Sequence, residues 1–269
     1  MNTGGSNDYK NDEAKPVIMV VDDNSDMRAF LQSKLEADYE VLAVRNGKLA
    51  LELLAERNVD MVISDISMPE MNGLDLCRAI RDNIEISHMP IIILSARSSV
   101  ESKIEAMKAG ADLYIEKPFV LEYLLTSVYN IMERRQLMKK AIHIGMTNVD
   151  IDMFGLPKRD EEFLKKYDDI IMENISNADL SNDLLASRLC ISESTLIRKI
   201  RKLLNTSTSN YIKVKRLNLA AQMLKDASGN NVTDICYTVG FSNLSYFSKC
   251  FKEHFGCTPS EYISGMPQK

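Results

Sequence analysis

Two adjacent carboxylates, Asp22 and Asp23, close the apolar run "VIMVV" at 17–21. Each raises the cost of ionising the other, which raises the question of what a strand gains by delivering both. A third carboxylate, Asp65, follows "DMVIS" (60–64), and the hydroxyl of Ser95 follows "PIIIL" (90–94). Glu116, Lys117 and Pro118 follow "LYI" (113–115). Each has an ordinary explanation by itself: Asp-Asp caps a helix, a serine before "ARSS" turns the chain, and Lys-Pro is loop. At successive strand ends, in this order, they put three carboxylates, a hydroxyl and an ammonium on one edge. Such a carboxylate group needs a cation to hold it together. Hard oxygen donors without His or Cys select Mg²⁺, which binds few carboxylates and keeps waters.

The elements that must deliver these groups are legible as alternating patterns. Besides the four runs above, "YEVLAV" (39–44) is apolar, and stretches near 25–36, 47–57, 73–83, 99–109 and 121–137 have helical spacing. Strand–helix alternation predicts an α/β, doubly wound, five-stranded parallel sheet, with helices on both faces. Ligands of such sheets bind beyond the carboxyl ends of the strands, where the polar groups stand.

The strings "VVDDN", "ISDISMPEMNG", "ILSAR" and "YIEKPF" resemble the receiver domain of two-component response regulators along its whole length. The resemblance implies a flavodoxin-like fold, and that Asp65 is the phosphoacceptor. It implies that Asp22, Asp23, Asp65 and the backbone carbonyl of Ser67 hold Mg²⁺. Ser95 and Lys117 then act on the phosphoryl group, Ser95 and Tyr114 form the switch, and the Lys117–Pro118 bond is cis. Chemically, Asp65 attacks phosphorus to form an acyl phosphate, while Mg²⁺ and Lys117 neutralise charge on the oxygens in transfer. New contacts from Ser95, and Tyr114 turning inward, would then shift the population between two packings.

The net charge of −5 divides unevenly. Residues 1–145 hold 17 Lys/Arg against 23 Asp/Glu, or −6, and residues 146–269 hold 16 against 15, or +1. Within 184–225 nine basic residues accompany one acid, Glu193. The second half also repeats itself: "LSNDLLASRLCISESTLIRKIRKLL" is echoed by "NVTDICYTVGFSNLSYFSKCFKEHF". Each copy predicts a short helix, a tight turn and a longer helix opened by a serine cap, Ser192 or Ser242. That is the helix-turn-helix arrangement, whose second helix enters the major groove, here about 193–204 and 243–255. A helix over 208–226 would join the two units, and Thr258, Pro259 and Glu261 form a capping box that opens a last helix. "VGFSNLSYFSKCFKEHFGCTPSEY" resembles the AraC-type DNA-binding domain over roughly 165–265. Base-facing candidates carried over are Ser194, Ile197 and Arg198, then Leu244, Ser245, Tyr246 and Lys249. Lys199, Lys202 and Arg216 meet phosphate or pack. Asn205 stands where that family ends its first reading helix in Gly, and Asn tolerates the left-handed cap.

These readings divide the chain into a disordered tail (1–15), a receiver domain (16–138), a linker (139–158) and an all-α AraC-type DNA-binding domain (159–269), with a core-packing helix at 160–175. Five cysteines, an odd number, lack any C-x-x-C pair and accompany three scattered histidines, which argues against a zinc site and against a disulfide framework. No apolar run is of membrane-spanning length, so a cytoplasmic location is expected, with no membrane insertion by this segment. The expected function is a phosphorylation-regulated, DNA-binding transcription regulator of a two-component system, not an enzyme. Its partners would be double-stranded DNA, a histidine kinase and a second copy when active. Two alternatives stay open. One is a constitutive DNA binder with an unused receiver. The other is an aspartyl-phosphate phosphatase resembling the haloacid dehalogenases, although those place D-x-D where this chain has Asp22-Asp23-Asn24. The domain order also resembles the cytoplasmic tail of a hybrid sensor, and it suits a free-standing regulator equally.

Overall fold

The computed structural model describes residues 15–143, 155–226 and 231–265. The chain divides into two units. One comprises the residues up to Ile80 with Met89–Val128, the other Arg81–His88 with Tyr129 onward.

The first unit is built on five strands: β1 (Val17–Val21), β2 (Glu40–Val44), β3 (Met61–Asp65), β4 (Ile91–Ser95) and β5 (Leu113–Glu116). All are parallel, in the order β2-β1-β3-β4-β5. The chain reverses its winding at β1, so β1 and β3 flank a switch point where such sheets bind ligands. β3 and β4 are buried throughout and β1 nearly so. Strands covered on both faces need continuous apolar runs rather than alternation. The edge strands β2 and β5 are half-exposed. Between the strands lie α1 (Ser25–Leu35), α2 (Gly47–Glu56), α3 (Gly73–Asp82) and α4 (Val100–Ala109). The side chains of Asn24, Asn46 and Ser99 accept backbone N–H groups at the starts of α1, α2 and α4, which satisfies donors that the helix cannot.

The stretch expected to end at 137 is longer in the structure. It forms the start of α5 (Leu121–His143), 23 residues. No Gly or Pro occurs between 121 and 143, and "MERRQLMKKA" is made of good helix formers, so nothing stops the helix at the expected domain edge of 138. α5 therefore takes up the first residues of the expected linker. Residues 144–154 of that linker, like the expected tail up to 14, lie outside the described residues. Leu156, also assigned to it, is buried in the core of the second unit.

The second unit contains α6 (Lys158–Glu173), α7 (Asn182–Arg188), α8 (Glu193–Leu204), α9 (Thr208–Asp226), α10 (Val232–Thr238), α11 (Leu244–Phe255) and α12 (Pro259–Ile263). The repeat is literal in length, with 7 and then 12 residues in both α7–α8 and α10–α11. Each copy has its own core. Tyr167 and Ile171 of α6 pack with Leu185, Leu196 and Ile200. Phe247 and Phe251 pack with Cys236, Val239 and Ala220. α9 enters both, with Ile212 in the first and Leu217 to Leu224 in the second. Its 19 residues make a rigid connector of about 28 Å.

Ser192 caps α8 as expected. The cap of α11 is Asn243 rather than Ser242, because its side-chain oxygen reaches Tyr246 N at 2.8 Å, and Asn is as good a cap as Ser. Asn205 adopts the left-handed conformation (φ 52°) at the end of α8. Thr258 and Glu261 form the expected capping box. Among the described residues no cysteine forms a disulfide, and Cys77, Cys236 and Cys250 are buried. Among the described residues no helix is long and apolar enough to cross a membrane.

Candidate phosphoacceptor site and DNA-reading surface

The ends of β1, β3 and β5 bring Asp22, Asp65 and Lys117 into direct contact. The Lys117 ammonium donates to Asp22 Oδ2 at 2.8 Å and to Asp65 Oδ1 at 2.5 Å. Both carboxylates are buried and are held by backbone as well. Asn24 N donates to Asp22 Oδ1 (2.9 Å), and Ser67 N to Asp65 Oδ2 (2.5 Å). Partial burial pulls the Lys117 ammonium down, but its hydrogen bonds to Asp22 and Asp65 outweigh this and hold it above the usual lysine value. It is a firm cation at neutral pH.

Ser95 ends β4 and is buried. Its oxygen accepts from Arg97 N at 3.1 Å, which leaves the hydroxyl proton to be donated elsewhere. Because β3 lies between β1 and β4, Asp65 has Asp22 on one side and Ser95 on the other. Tyr114, on β5, is half-exposed and donates its hydroxyl proton to the carbonyl of Arg97 at 2.5 Å. That bond ties the aromatic ring to the loop that Ser95 begins. The Lys117–Pro118 peptide is cis.

Asp23 is the exception within the acidic set: it is exposed, while Asp22 is buried. Among the described residues no three His, Cys, Asp or Glu side chains are grouped tightly enough to hold a metal alone. The donors nonetheless fit Mg²⁺, which needs only one or two carboxylates and completes its shell with water. Asp22 and Asp65 already share one cation, the Lys117 ammonium.

Two supports were not read from sequence. Arg28 donates to the Asp22 carbonyl at 2.7 Å. Gly73, the first residue of α3, lies so close to β3 that a Cβ would sit 2.0 Å from the Asp65 carbonyl oxygen. Its signal was a glycine at a helix start in "PEMNG". Gly73→Ala is expected to destabilise the first unit by about 1–3 kcal/mol through overpacking, read as a lower thermal midpoint.

The reading helices divide less evenly. On α8, Ser194, Ile197 and Arg198 are exposed and Lys202 is half-buried. Arg198 pairs with Glu85 at 2.6 Å. Lys199 departs from the expected DNA-contacting set. Its side chain is fully buried and pairs with Asp160 of α6, so it faces the interior rather than a groove. Burial lowers its pKa, with Asp160 opposing. Arg216 also packs, donating to the carbonyls of Ile175 (3.2 Å) and Asn177 (2.6 Å). On α11, Ser245, Tyr246 and Lys249 are exposed, while Leu244 leans on the second core. A partly packed leucine offers little edge for reading a base.

The response regulator receiver domain family matches residues 18–129, and a helix-turn-helix domain family matches residues 185–265. The chain is a receiver domain followed by an AraC-type helix-turn-helix domain. Histidine kinase P4 of Formosa agariphila is 36% identical over 95% of this chain, which spans 18% of that protein. Response regulator ArlR of Staphylococcus haemolyticus is 34% identical over 54% of this chain, which spans 65% of it. The chain therefore covers less than two thirds of either relative. Among solved structures, the receiver domain of a signal transduction histidine kinase from Syntrophus aciditrophicus is 31% identical. It covers 44% of this chain and 90% of its own, with a TM-score of 0.42. The receiver's five-stranded parallel sheet stands on the strand order itself.

Proposed function

We propose that this chain is a phosphorylation-regulated, sequence-specific DNA-binding regulator of a two-component system. The observation that carries the reading is Lys117 bridging Asp65 and Asp22 beside Ser95, in the same chain as two helix-turn-helix units. Asp65 is the nucleophile: one of its carboxylate oxygens bonds to phosphorus as the bond from phosphorus to the donor breaks. Lys117 neutralises charge on the phosphoryl oxygens. Ser95 donates its free proton to the phosphoryl group once it is attached to Asp65. The Tyr114 hydroxyl must then leave the Arg97 carbonyl for the ring to turn inward. Asp22, Asp23, Asp65 and the Ser67 carbonyl would hold Mg²⁺, which supplies further charge neutralisation when bound.

The phosphodonor partner is a histidine kinase. The match to a histidine kinase along 95% of the chain supports an arrangement in which kinase and regulator share a polypeptide. DNA is read by α8 and α11, with exposed Ser194, Ile197, Arg198, Ser245, Tyr246 and Lys249 toward base edges and half-buried Lys202 toward phosphate. The active form on DNA is a homodimer. Cytoplasmic placement follows from this function.

The deciding experiment pairs phosphorylation with DNA binding. The full chain selects a site from a random duplex pool, and its affinity for that site is compared with and without acetyl phosphate and Mg²⁺. A change in affinity that needs both reagents supports the switch. Selection of a site with no such change leaves a constitutive DNA binder. Lys117→Met is expected to slow phosphorylation about 10²–10³-fold, as the loss of one preorganised charge does, with DNA affinity in the absence of phosphate unchanged. Arg198→Ala is expected to relax discrimination at one base position, costing about 1–3 kcal/mol there, measured on single-substitution variants of the selected site.

A further inference from the structure

The first reading helix carries a buried charge that the DNA-binding reading does not use. Lys199 lies between exposed Arg198 and buried Ile200 on α8, at the flank of the helix's core face. Its ammonium pairs with Asp160 and donates to Ser87 Oγ at 2.9 Å, and Ser87 in turn donates to Asp160 Oδ1 at 2.9 Å. All three belong to the second unit. The ammonium also lies 5.5 Å from the centre of the Phe163 ring. Asp160 and Phe163 are three residues apart on α6, one turn, so a single face of α6 grips one residue of α8.

Stability gives little reason for such a pair. Removing two charges from water costs several kcal/mol, and apolar replacements of buried pairs are often neutral or stabilising. Here the second oxygen of Asp160 is buried without a hydrogen-bond partner, so compensation is incomplete. What a directional contact supplies and apolar packing does not is angular definition. Leu196, Ile200 and Leu203 would stay covered if α8 rolled modestly about its axis. The Lys199–Asp160 bond would break.

We propose that Asp160 and Lys199 are positioning residues: their buried pair sets the rotation of α8, and so which side chains of that helix meet base edges. Neither touches DNA. The inference rests on the DNA-binding reading above. A roll of α8 would carry Ser194, Ile197 and Arg198 sideways across the groove, weakening discrimination while leaving most phosphate contacts in reach.

The test separates these roles by salt dependence. A residue that neutralises a phosphate releases a counterion, so its loss lowers the slope of log affinity against log salt by about one. Single variants would strand a charge, so the main variant is Asp160→Leu with Lys199→Met in the full chain. On the site selected by the wild-type chain, this variant is expected to lose about tenfold or more in discrimination against a scrambled duplex, comparable to one mismatched base pair. Its salt slope should stay at the wild-type value. Lys202→Ala, the comparison, should lose slope and keep discrimination. A second variant, Asp160→Asn with Lys199→Gln, keeps a hydrogen bond without charge and should retain wild-type discrimination and slope. It decides the matter if the apolar variant does not fold.

Wild-type discrimination in the apolar variant overturns the proposal, as does a slope lowered by about one in either double variant. Loss of discrimination in the Asn–Gln variant overturns it too. Failure of the wild-type chain to select any site overturns the DNA-binding reading instead.

Discussion

Asp65→Asn is expected to take up no phosphoryl group from acetyl phosphate and Mg²⁺, while the wild-type chain is expected to gain one, read by intact mass. Two other carboxylates stand at the same edge, and neither should substitute. Asp65 alone lies between Asp22 and Ser95, because β3 is flanked by β1 and β4, so only a phosphoryl group on Asp65 meets both. Asp22 sits at the far side of this array, and exposed Asp23 has no ammonium beside it among the described contacts. An amide at 65 keeps the shape and removes the nucleophilic oxygen charge, so the loss is expected to be complete rather than graded. The wild-type adduct should be an acyl phosphate, labile to hydroxylamine. A wild-type mass gain that survives in Asp65→Asn would move the acceptor elsewhere, and omission of Mg²⁺ should abolish the gain.

The second large effect is on stability and lies in the other unit. Asp160→Ala leaves the Lys199 ammonium buried without its counter-charge, a loss that costs about 3–5 kcal/mol when one partner of a buried pair is removed. Both side chains are essentially inaccessible to water, at 1% and 0% exposure, so solvent cannot rescue the orphan. A large fall in the urea midpoint of the helical unit is expected from this single change. The paired apolar variant should recover most of it. An Asp160→Ala chain as stable as wild type would mean that Lys199 readily escapes to solvent.

Much of the first unit was legible because its signals are local. A parallel strand covered on both faces must be apolar along its whole length, so "VIMVV", "DMVIS" and "PIIIL" announce themselves and mark where the polar groups begin. The parallel sheet expected from these runs, and the flavodoxin-like fold that the receiver resemblance implies, are observed. Helix caps are local too: Ser192, Asn205 and the Thr258–Glu261 box involve residues within a turn or so of one another. Even the error at α11 stayed local, since Ser242 and Asn243 are neighbours with equal chemistry for the role.

The end of α5 was less legible. Periodicity weakens after 137 because the helix there changes which core it serves: Val128 is buried in one unit, and Met138 belongs to the core of the other. A change of partner alters the apolar face without ending the helix. Backbone hydrogen bonding continues for as long as no residue opposes it.

By itself, the sequence determined the strand order of polar groups, the twofold helical repeat and the identity of both domain types. These depend on side-chain period, residue type and spacing along the chain. Only the tertiary structure decided that Asp22 turns inward while Asp23 faces water, that Asp65 is flanked by Asp22 and Ser95, and that Lys199 belongs to the interior of a helix otherwise basic on its outer face. A lysine on an amphipathic helix reads as solvated unless a counter-ion is known to wait for it. That counter-ion is Asp160, 39 residues away in sequence. Charge burial depends on a partner in space, and spacing along one helix cannot report a carboxylate carried by another.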